Sequence, residues 1–318
     1  MQVNGRIKSY NVIIDTDPGL GKPFAEVDDG FAIFIVLNSP DIFNLLGITI
    51  CYGNVPMKTG YRLAKKYLKI AQKEKIPVLR GALNKNQLKD RIEASDFIIK
   101  QANEYPGDLT ILVLGPQTNI ANAFLKDNEL EDKIKELVVM GGVFQAPVLK
   151  FSPITRHIDE RFFDKLNKNY LVAEFNIMND PIAASIVLSR NIPTRIFPLN
   201  VTTKTGINKK HLRLMREANT RISHFCYKNV LYWYILNNII TKGNGFYPHD
   251  TFVPIYKINP TIFKFKKLGL KVDIRKIQGK IEIINRKGKN IPSKFIKYVC
   301  FDFLTEEFHK IFLDRLLI

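Results

Sequence analysis

The chain has 318 residues and a formal net charge of +18, and 46% of its residues are hydrophobic, which excludes global disorder. No apolar run approaches the ~20 residues of a membrane-spanning helix, and the N-terminal segment lacks the apolar stretch and cleavage site of a signal peptide. The cysteines Cys51, Cys226 and Cys300 are odd in number and far apart, which argues against a disulfide framework. We therefore expect a soluble, cytoplasmic protein.

Short apolar runs alternate with amphipathic runs along the first two-thirds of the chain. The apolar runs predict strands, in order "NVIID", "FNLLGITICYGN", "IPVLRGA", "LTILVLG", "IKELVVMGG" and "PTRIFPLN". The runs between them predict helices, so the pattern indicates an α/β fold with an open, mostly parallel sheet and helices on both faces. Near the end, "LGLKVDIRKIQGKIEIINRKGKN" predicts an appended β-hairpin and "DFLTEEFHKIFLDRLL" a closing helix. We expect one domain over residues 1–318.

Acids and amides follow the predicted strands. Asp15 and Asp17 end the first strand, and Asp28 and Asp29 open the next helix. The carboxyl ends of parallel strands form the ligand crevice of such sheets, so these groups should converge there. One aspartate at a helix N-terminus is ordinary, but four converging carboxylates favour a bound cation, and an oxygen-only set favours Ca²⁺ or Mg²⁺. From these residues alone, turn hydrogen bonds and helix capping are an equally good interpretation.

Other polar groups lie further along the chain. His249 and Asp250 are adjacent, a pair that is usually found at a surface, and Glu174 and Asn176 alternate on one face. Asp180 precedes Pro181, which is typical of a helix N-cap with proline in the first turn.

Several motifs together resemble the nucleoside hydrolase family, the calcium-dependent ribohydrolases of the inosine-uridine type. They are "DTDPG" with "DD", "LLGITICYGNV", "LTILVLGPQTNIA", "KELVVMGG", "AEFNIMNDPIAA" and "HD", in order from Asn11 to about Leu317. The resemblance implies an open, mostly parallel α/β fold and hydrolysis of the N-glycosidic bond of ribonucleosides to free base and ribose. It also implies Ca²⁺ as cofactor and a homodimer or homotetramer.

The resemblance further implies roles for individual residues. Asp17 would act as general base on the attacking water, and it would share the metal with three other residues. The expected ligands are Asp17, Asp29, Asp250 and the carbonyl of Thr118. A second group would contact the substrate, and it comprises Asp28, Asn54, Met140, Asn169, Glu174 and Asn176. Asn169 is included because the family has an asparagine at the position of Lys168, and Asn169 is the neighbouring residue that could replace it.

The chain also departs from the family pattern. Eight residues, "LGKPFAEV", separate Gly19 from the "DD" pair where the family has one, so residues 20–27 form an insertion, and residues 145–168 look like a second. Residues 83–95 contain no histidine, although the family often has one there to assist base departure. We nominate His249 as the leaving-group acid, because it adjoins an expected ligand. Preference for purine or pyrimidine does not carry over.

Two alternatives remain open at this point. The same cage of oxygen ligands could serve an enzyme acting on a nucleotide or a modified nucleoside, or a non-catalytic protein that binds ribose or nucleic acid. Residues 261–300 hold twelve Lys or Arg against two acids, as a polyanion site would. No nucleic-acid recognition motif accompanies them, so a solvated surface is the favoured interpretation.

Overall fold

The computed structural model describes residues 9–144, 173–241, 243–284 and 290–318, together with the backbone of two short strands before residue 9. The strands in this part of the chain are β1 Gln2–Val3, β2 Arg6–Ile7, β3 Tyr10–Thr16, β4 Phe43–Ile50, β5 Val78–Arg80, β6 Leu109–Val113, β7 Ile134–Met140, β8 Thr194–Phe197, β9 Phe263–Val272, β10 Ile281–Ile283 and β11 Ile296–Phe303. The helices are α1 Asp28–Leu37, α2 Met57–Ile70, α3 Glu93–Glu104, α4 Thr118–Lys126, α5 Leu130–Lys133, α6 Phe175–Asn179, α7 Pro181–Leu188, α8 Leu199–Thr202, α9 Lys209–Glu217, α10 Arg221–Ile240, α11 Phe252–Ile258 and α12 Thr305–Leu316.

Nine of the described strands form one sheet in the order β10-β9-β11-β8-β7-β6-β3-β4-β5. The neighbours from β11 to β5 are parallel, whereas β9 pairs antiparallel with both β11 and β10. The predicted mostly parallel sheet is therefore confirmed, and so are the appended hairpin of β9 and β10 and the closing helix α12. Strand β11, which joins this hairpin to the parallel part, is not among the predicted elements.

Helices cover both faces of the sheet, and the alternating side chains of β3 show this because they enter two different apolar clusters. Val12 and Ile14 belong to one apolar cluster, which includes Phe31 and Phe34 of α1. Ile13 points the other way, into a second cluster that contains residues of α3, α4 and α7. Successive side chains of a strand point to opposite faces, so the two clusters are the two sides of one sheet.

Helix α1 lies wholly inside the protein, and all ten of its residues are buried, including Asp28 and Asp29. The preceding residue, Val27, has no side chain that could cap the helix, and the two acids occupy the first turn. The apolar run that follows fixes the helix against the sheet, so its first turn is held at the carboxyl end of β3.

The basic segment 261–300 contributes β9, β10 and the first half of β11, and most of its described lysines are exposed. Lys297 is an exception. Its side chain is fully buried, and Nζ donates to the carbonyl oxygens of Arg190 at 2.7 Å and Lys294 at 2.9 Å. This lysine therefore ties β11 to the loop after α7. Among the described residues, none of the helices has the length and apolar character needed to cross a membrane.

Candidate active site

Three carboxylates meet where the strands end. One oxygen each of Asp28, Asp29 and Asp250 lies within 4.8 Å of the others, and all three residues are buried. Asp250 belongs to a short 3-10 turn, His249–Thr251, and its backbone N–H donates to Asp28 Oδ2 at 3.2 Å. The expected convergence of acids that are 222 positions apart is therefore present in the fold.

Asp17 lies beside this group. Its backbone N–H donates to Asp29 Oδ1 at 3.3 Å, and its own Oδ2 accepts from the backbone N–H of Asn54. The hydroxyl of Thr16 also donates to Asp29 Oδ1. A Cβ at Gly53 would collide with the Asp17 carboxylate, so glycine at this position lets the chain after β4 approach it.

Asp15 belongs to a separate hydrogen-bond network. Its Oδ1 accepts from the Thr49 hydroxyl at 2.6 Å and from Asn119 Nδ2 at 2.8 Å, and Asn119 Oδ1 in turn accepts from the N–H of Ala82. Burial raises the pKa of Asp15 to about 7. This network joins β3, β4 and α4. The sequence alone does not show that Asp15 belongs to this network and not to the group of acids around Asp17.

Thr118, the expected carbonyl ligand, begins α4 and is fully buried. Its hydroxyl donates to Asp180 Oδ2 at 2.7 Å, while Asp180 Oδ1 accepts from the N–H of Ala183 at 3.0 Å. The predicted N-cap role of Asp180, with Pro181 in the first turn, is confirmed. These hydrogen bonds therefore join the start of α4 to the start of α7.

Glu174 and Asn176 lie at the start of α6 and are both buried. The Glu174 carboxylate accepts backbone hydrogen bonds from Asn176 at 2.7 Å, Gly142 at 3.1 Å and Ile177 at 3.2 Å. Asn176 Nδ2 donates to the carbonyl oxygen of Leu114 at 2.9 Å. Both side chains are therefore fixed across the ends of β6 and β7.

Three further expected residues have different surroundings. Met140 ends β7, and its sulfur lies 3.7 Å from Asn176 Nδ2. The Thr202 hydroxyl lies 2.6 Å from His249 Nδ1, and burial lowers the pKa of His249 to about 4, so the imidazole is uncharged near neutral pH. Asn169 lies outside the described residues, as does the second insertion, residues 145–168.

Within the part of the chain that the structure describes, basic side chains do not balance the charge on the acids. Among the described residues, no lysine or arginine forms an ion pair with Asp17, Asp28, Asp29 or Asp250. Burial, followed by mutual repulsion, raises the pKa of Asp17 and Asp250 well above the usual range. Buried carboxylates of this kind need protons or a cation, and an all-oxygen set suits a hard divalent ion.

The sequence pattern of one family, described as inosine-uridine preferring nucleoside hydrolase, matches residues 12–308. The chain belongs to this nucleoside hydrolase family. It is 28% identical over 300 residues to uridine nucleosidase 1 of Arabidopsis thaliana, covering 85% of this chain and 80% of that protein. It is 25% identical over 296 residues to the pyrimidine-specific ribonucleoside hydrolase RihB of Escherichia coli, covering 84% of each.

Solved nucleoside hydrolases share the fold. A plant nucleoside hydrolase superposes with a TM-score of 0.81 at 24% identity, covering 98% of this chain and 99% of that one. A purine-preferring ribonucleoside hydrolase from Gardnerella vaginalis gives 0.80 at 23% identity, covering 96% and 98%. Membership in the nucleoside hydrolase family confirms the predicted enzyme class, a hydrolase of N-glycosidic bonds in ribonucleosides.

Proposed function

We propose that this nucleoside hydrolase is a Ca²⁺-dependent N-ribohydrolase that releases the base from free ribonucleosides. The observation that carries the proposal is the buried acidic group at the ends of the strands. Three of its carboxylates lie within 4.8 Å of one another, and no ion pair balances them among the described residues. A divalent ion is the simplest group that balances this charge while leaving oxygen atoms to contact a sugar.

The proposed ligands are the carboxylates of Asp17, Asp29 and Asp250 and the carbonyl oxygen of Thr118. Ca²⁺ takes six to eight oxygen ligands, so a protein set of this size leaves positions for water and sugar hydroxyls. When bound, the ion would supply a positive charge that orients the sugar and lowers the pKa of a neighbouring water molecule.

Asp17 is the proposed general base. Its Oδ2 accepts from the Asn54 backbone N–H, which fixes the carboxylate and leaves Oδ1 to take the proton of the attacking water. Glycine at position 53 allows this contact, so the orientation of the base depends on the turn after β4 as well as on β3. General bases contribute about 10²–10⁴-fold to rates.

The remaining residues act on the sugar and the base. Breaking the N-glycosidic bond builds positive charge on the ribose, and the carboxylates of Asp28 and Glu174 stabilise this charge more than they stabilise the neutral substrate. Asn176 and Met140 would line the same space. For His249, the contact of Nδ1 with Thr202 leaves Nε2 to donate a hydrogen bond to the departing base.

The test is a base-release assay with uridine, inosine and their 5′-monophosphates, in excess Ca²⁺ and in chelator. Uridine comes first, because two of the relatives are named for uridine or pyrimidine substrates. Asp17→Asn and Asp250→Asn should each lower kcat/KM by about 10²-fold or more while the protein stays folded. Asp314→Asn, at an exposed acid on α12, is the matched control. Release that persists in chelator, or in either site variant, would refute the proposal.

A further inference from the structure

Helix α2 carries positive charge and no negative charge. Its sequence, "MKTGYRLAKKYLKI", contains five lysine or arginine residues and no acid. Four of the five recur at intervals of three or four positions, so they lie on one face of the helix. These four side chains are exposed, and the row, here called the α2 stripe, comprises Lys58, Arg62, Lys65 and Lys69. At 1.5 Å per residue, the α2 stripe extends over about 16 Å.

The α2 stripe is unfavourable for the protein by itself. Lys58 and Arg62, like Lys65 and Lys69, are like-charge pairs four residues apart, and such pairs destabilise a helix. Lys58 also lies in the first turn, where the helix dipole favours negative charge. In the described part of the chain, no acid forms an ion pair with any member of the stripe. A bound anion would relieve this repulsion.

A groove lies between α2 and the edge strand β5, and it consists of two cavities that share Tyr61. The larger has a volume of about 560 Å³ and is lined by Met57, Lys58, Tyr61, Arg62 and Arg80. The smaller has a volume of about 220 Å³, and its lining includes Tyr61, Lys65 and Lys75 together with one acid, Glu74. The groove therefore has cations on both walls.

The ring of Tyr61 holds two of these cations at the groove. The guanidinium carbon of Arg80 lies 4.8 Å from the ring centroid, and Lys65 Nζ lies 5.7 Å from it. Aromatic rings attract cations within about 6 Å, so both side chains lose less freedom when they contact an anion. The neighbouring acid Glu93 accepts a hydrogen bond from the backbone N–H of Arg80 at 3.2 Å, which leaves the guanidinium for a ligand.

We propose that the α2 stripe, with Arg80 on the opposite wall of the groove, binds a single strand of nucleic acid through its phosphates. Cations repeated over about 16 Å fit a chain of phosphates better than one phosphate group. A basic groove with an aromatic side chain is typical of proteins that bind single strands. A lipid surface fits less well, because interfacial helices bury their apolar face among lipids. The apolar face of α2, including Ala64 and Leu68, is already packed in the core.

The test measures the binding of a labelled uridine dodecamer by fluorescence anisotropy over a series of salt concentrations. The buffer contains chelator, so the result does not depend on the proposed Ca²⁺-dependent reaction. For a single strand, the logarithm of the binding constant falls with the logarithm of salt concentration with a slope of about −0.7 per neutralised phosphate. Four or five contacts therefore predict a slope of about −3 for wild type. Arg62→Ala/Lys65→Ala should reduce the size of this slope by about 1.4 and raise the Kd by about 5–10-fold.

The matched control is Lys266→Ala/Lys267→Ala, which removes the same charge from exposed side chains of β9, near the other edge of the sheet. Its Kd and slope should stay close to those of wild type. Equal losses in the two double variants would overturn the inference, because binding would then follow net charge alone. A wild type that does not bind the dodecamer at low salt would also overturn it. Tighter binding to vesicles of phosphatidylcholine and phosphatidylserine, lost in Arg62→Ala/Lys65→Ala, would assign the stripe to a membrane surface and refute the proposal.

Discussion

Asp250→Asn should stabilise the protein in chelator and destabilise it, relative to wild type, in Ca²⁺. The acidic group is the reason for both effects. In chelator, the substitution removes one of three crowded charges, and the new amide can still donate to Asp29, with which Asp250 already shares a side-chain hydrogen bond. In Ca²⁺, the same change removes a proposed ligand.

The size of the first effect follows from the geometry. At the 4.8 Å limit separating the oxygens of Asp28, Asp29 and Asp250, two full charges repel by about 3 kcal/mol at an effective dielectric constant near 20. The raised pKa values of Asp28 and Asp250 mean that proton uptake already relieves part of this repulsion. We therefore expect a gain of about 1–2 kcal/mol, which corresponds to a rise of about 2–4 °C in melting temperature.

The second effect follows from mass action. An ion present at 100 times its Kd stabilises the native state by about 2.7 kcal/mol, or about 5 °C for a chain of this size. Wild type should show this stabilisation by Ca²⁺. The variant lacks one proposed ligand, so Ca²⁺ should stabilise it much less. The order of the two melting temperatures should therefore reverse.

Thermal unfolding measured by calorimetry in chelator and across a Ca²⁺ titration checks both effects, with Asp314→Asn as a neutral control. Equal Ca²⁺ shifts in wild type and variant would refute the assignment of Asp250 as a ligand. A variant that is less stable than wild type in chelator would refute the electrostatic argument.

Two further predictions concern regions away from the acids. Burial and the neighbouring His309 lower the pKa of His211 to about 4, so the folded state takes up this proton less readily than the unfolded state. The neutral His211 side chain therefore costs no stability above pH ~6.5. Below that pH, the free energy of unfolding falls by up to ~1.4 kcal/mol per pH unit toward pH 4, because the unfolded state binds the proton first. In denaturant unfolding between pH 6.5 and pH 4, the unfolding free energy of His211→Gln should fall less steeply with decreasing pH than that of wild type. Equal slopes for the two proteins would contradict this prediction. Lys257→Met leaves the buried Glu136 with Arg195 as its one remaining ion-pair partner among the described residues, so it should cost about 2–4 kcal/mol of unfolding free energy. Because Glu136 lies near the amino end of β7, away from the acids, kcat/KM per folded molecule should not change, and a large loss would show coupling to the site.

The sheet and the convergence of the acids near the first strand could be predicted from simple periodicity, whereas the arrival of Asp250 at the same place was implied only by the resemblance to the nucleoside hydrolase family. Apolar runs such as "NVIID" end in polar residues, and parallel strands place those ends at one edge. The position of Asp28 and Asp29 was also predictable, since acids at the start of an apolar helix lie where that helix leaves the strand. None of this depended on contacts between distant side chains.

Side-chain contacts across the insertion could not be predicted. Nothing in the sequence indicates that the Asn54 amide bonds the backbone of Glu26, because backbone groups carry no sequence signal. Lys297 raises a related difficulty. A lysine in a basic segment predicts solvent exposure, yet the carbonyl oxygens of Arg190, after α7, and of Lys294, just before β11, hold its ammonium group inside. That lysine interrupts the apolar pattern of β11, which is why the pattern does not predict the strand.

The complete burial of α1 has a consequence for the radius of the proposed ion. Mg²⁺ requires oxygen atoms at about 2.0–2.1 Å, whereas Ca²⁺ accepts about 2.3–2.6 Å. Drawing Asp29 inward by a few tenths of an ångström would move a helix with no exposed residue, packed through Phe31 and Phe34 against the sheet, and close-packed interiors resist such shifts. Selectivity for the larger ion would thus be set by hydrocarbon side chains that never touch it.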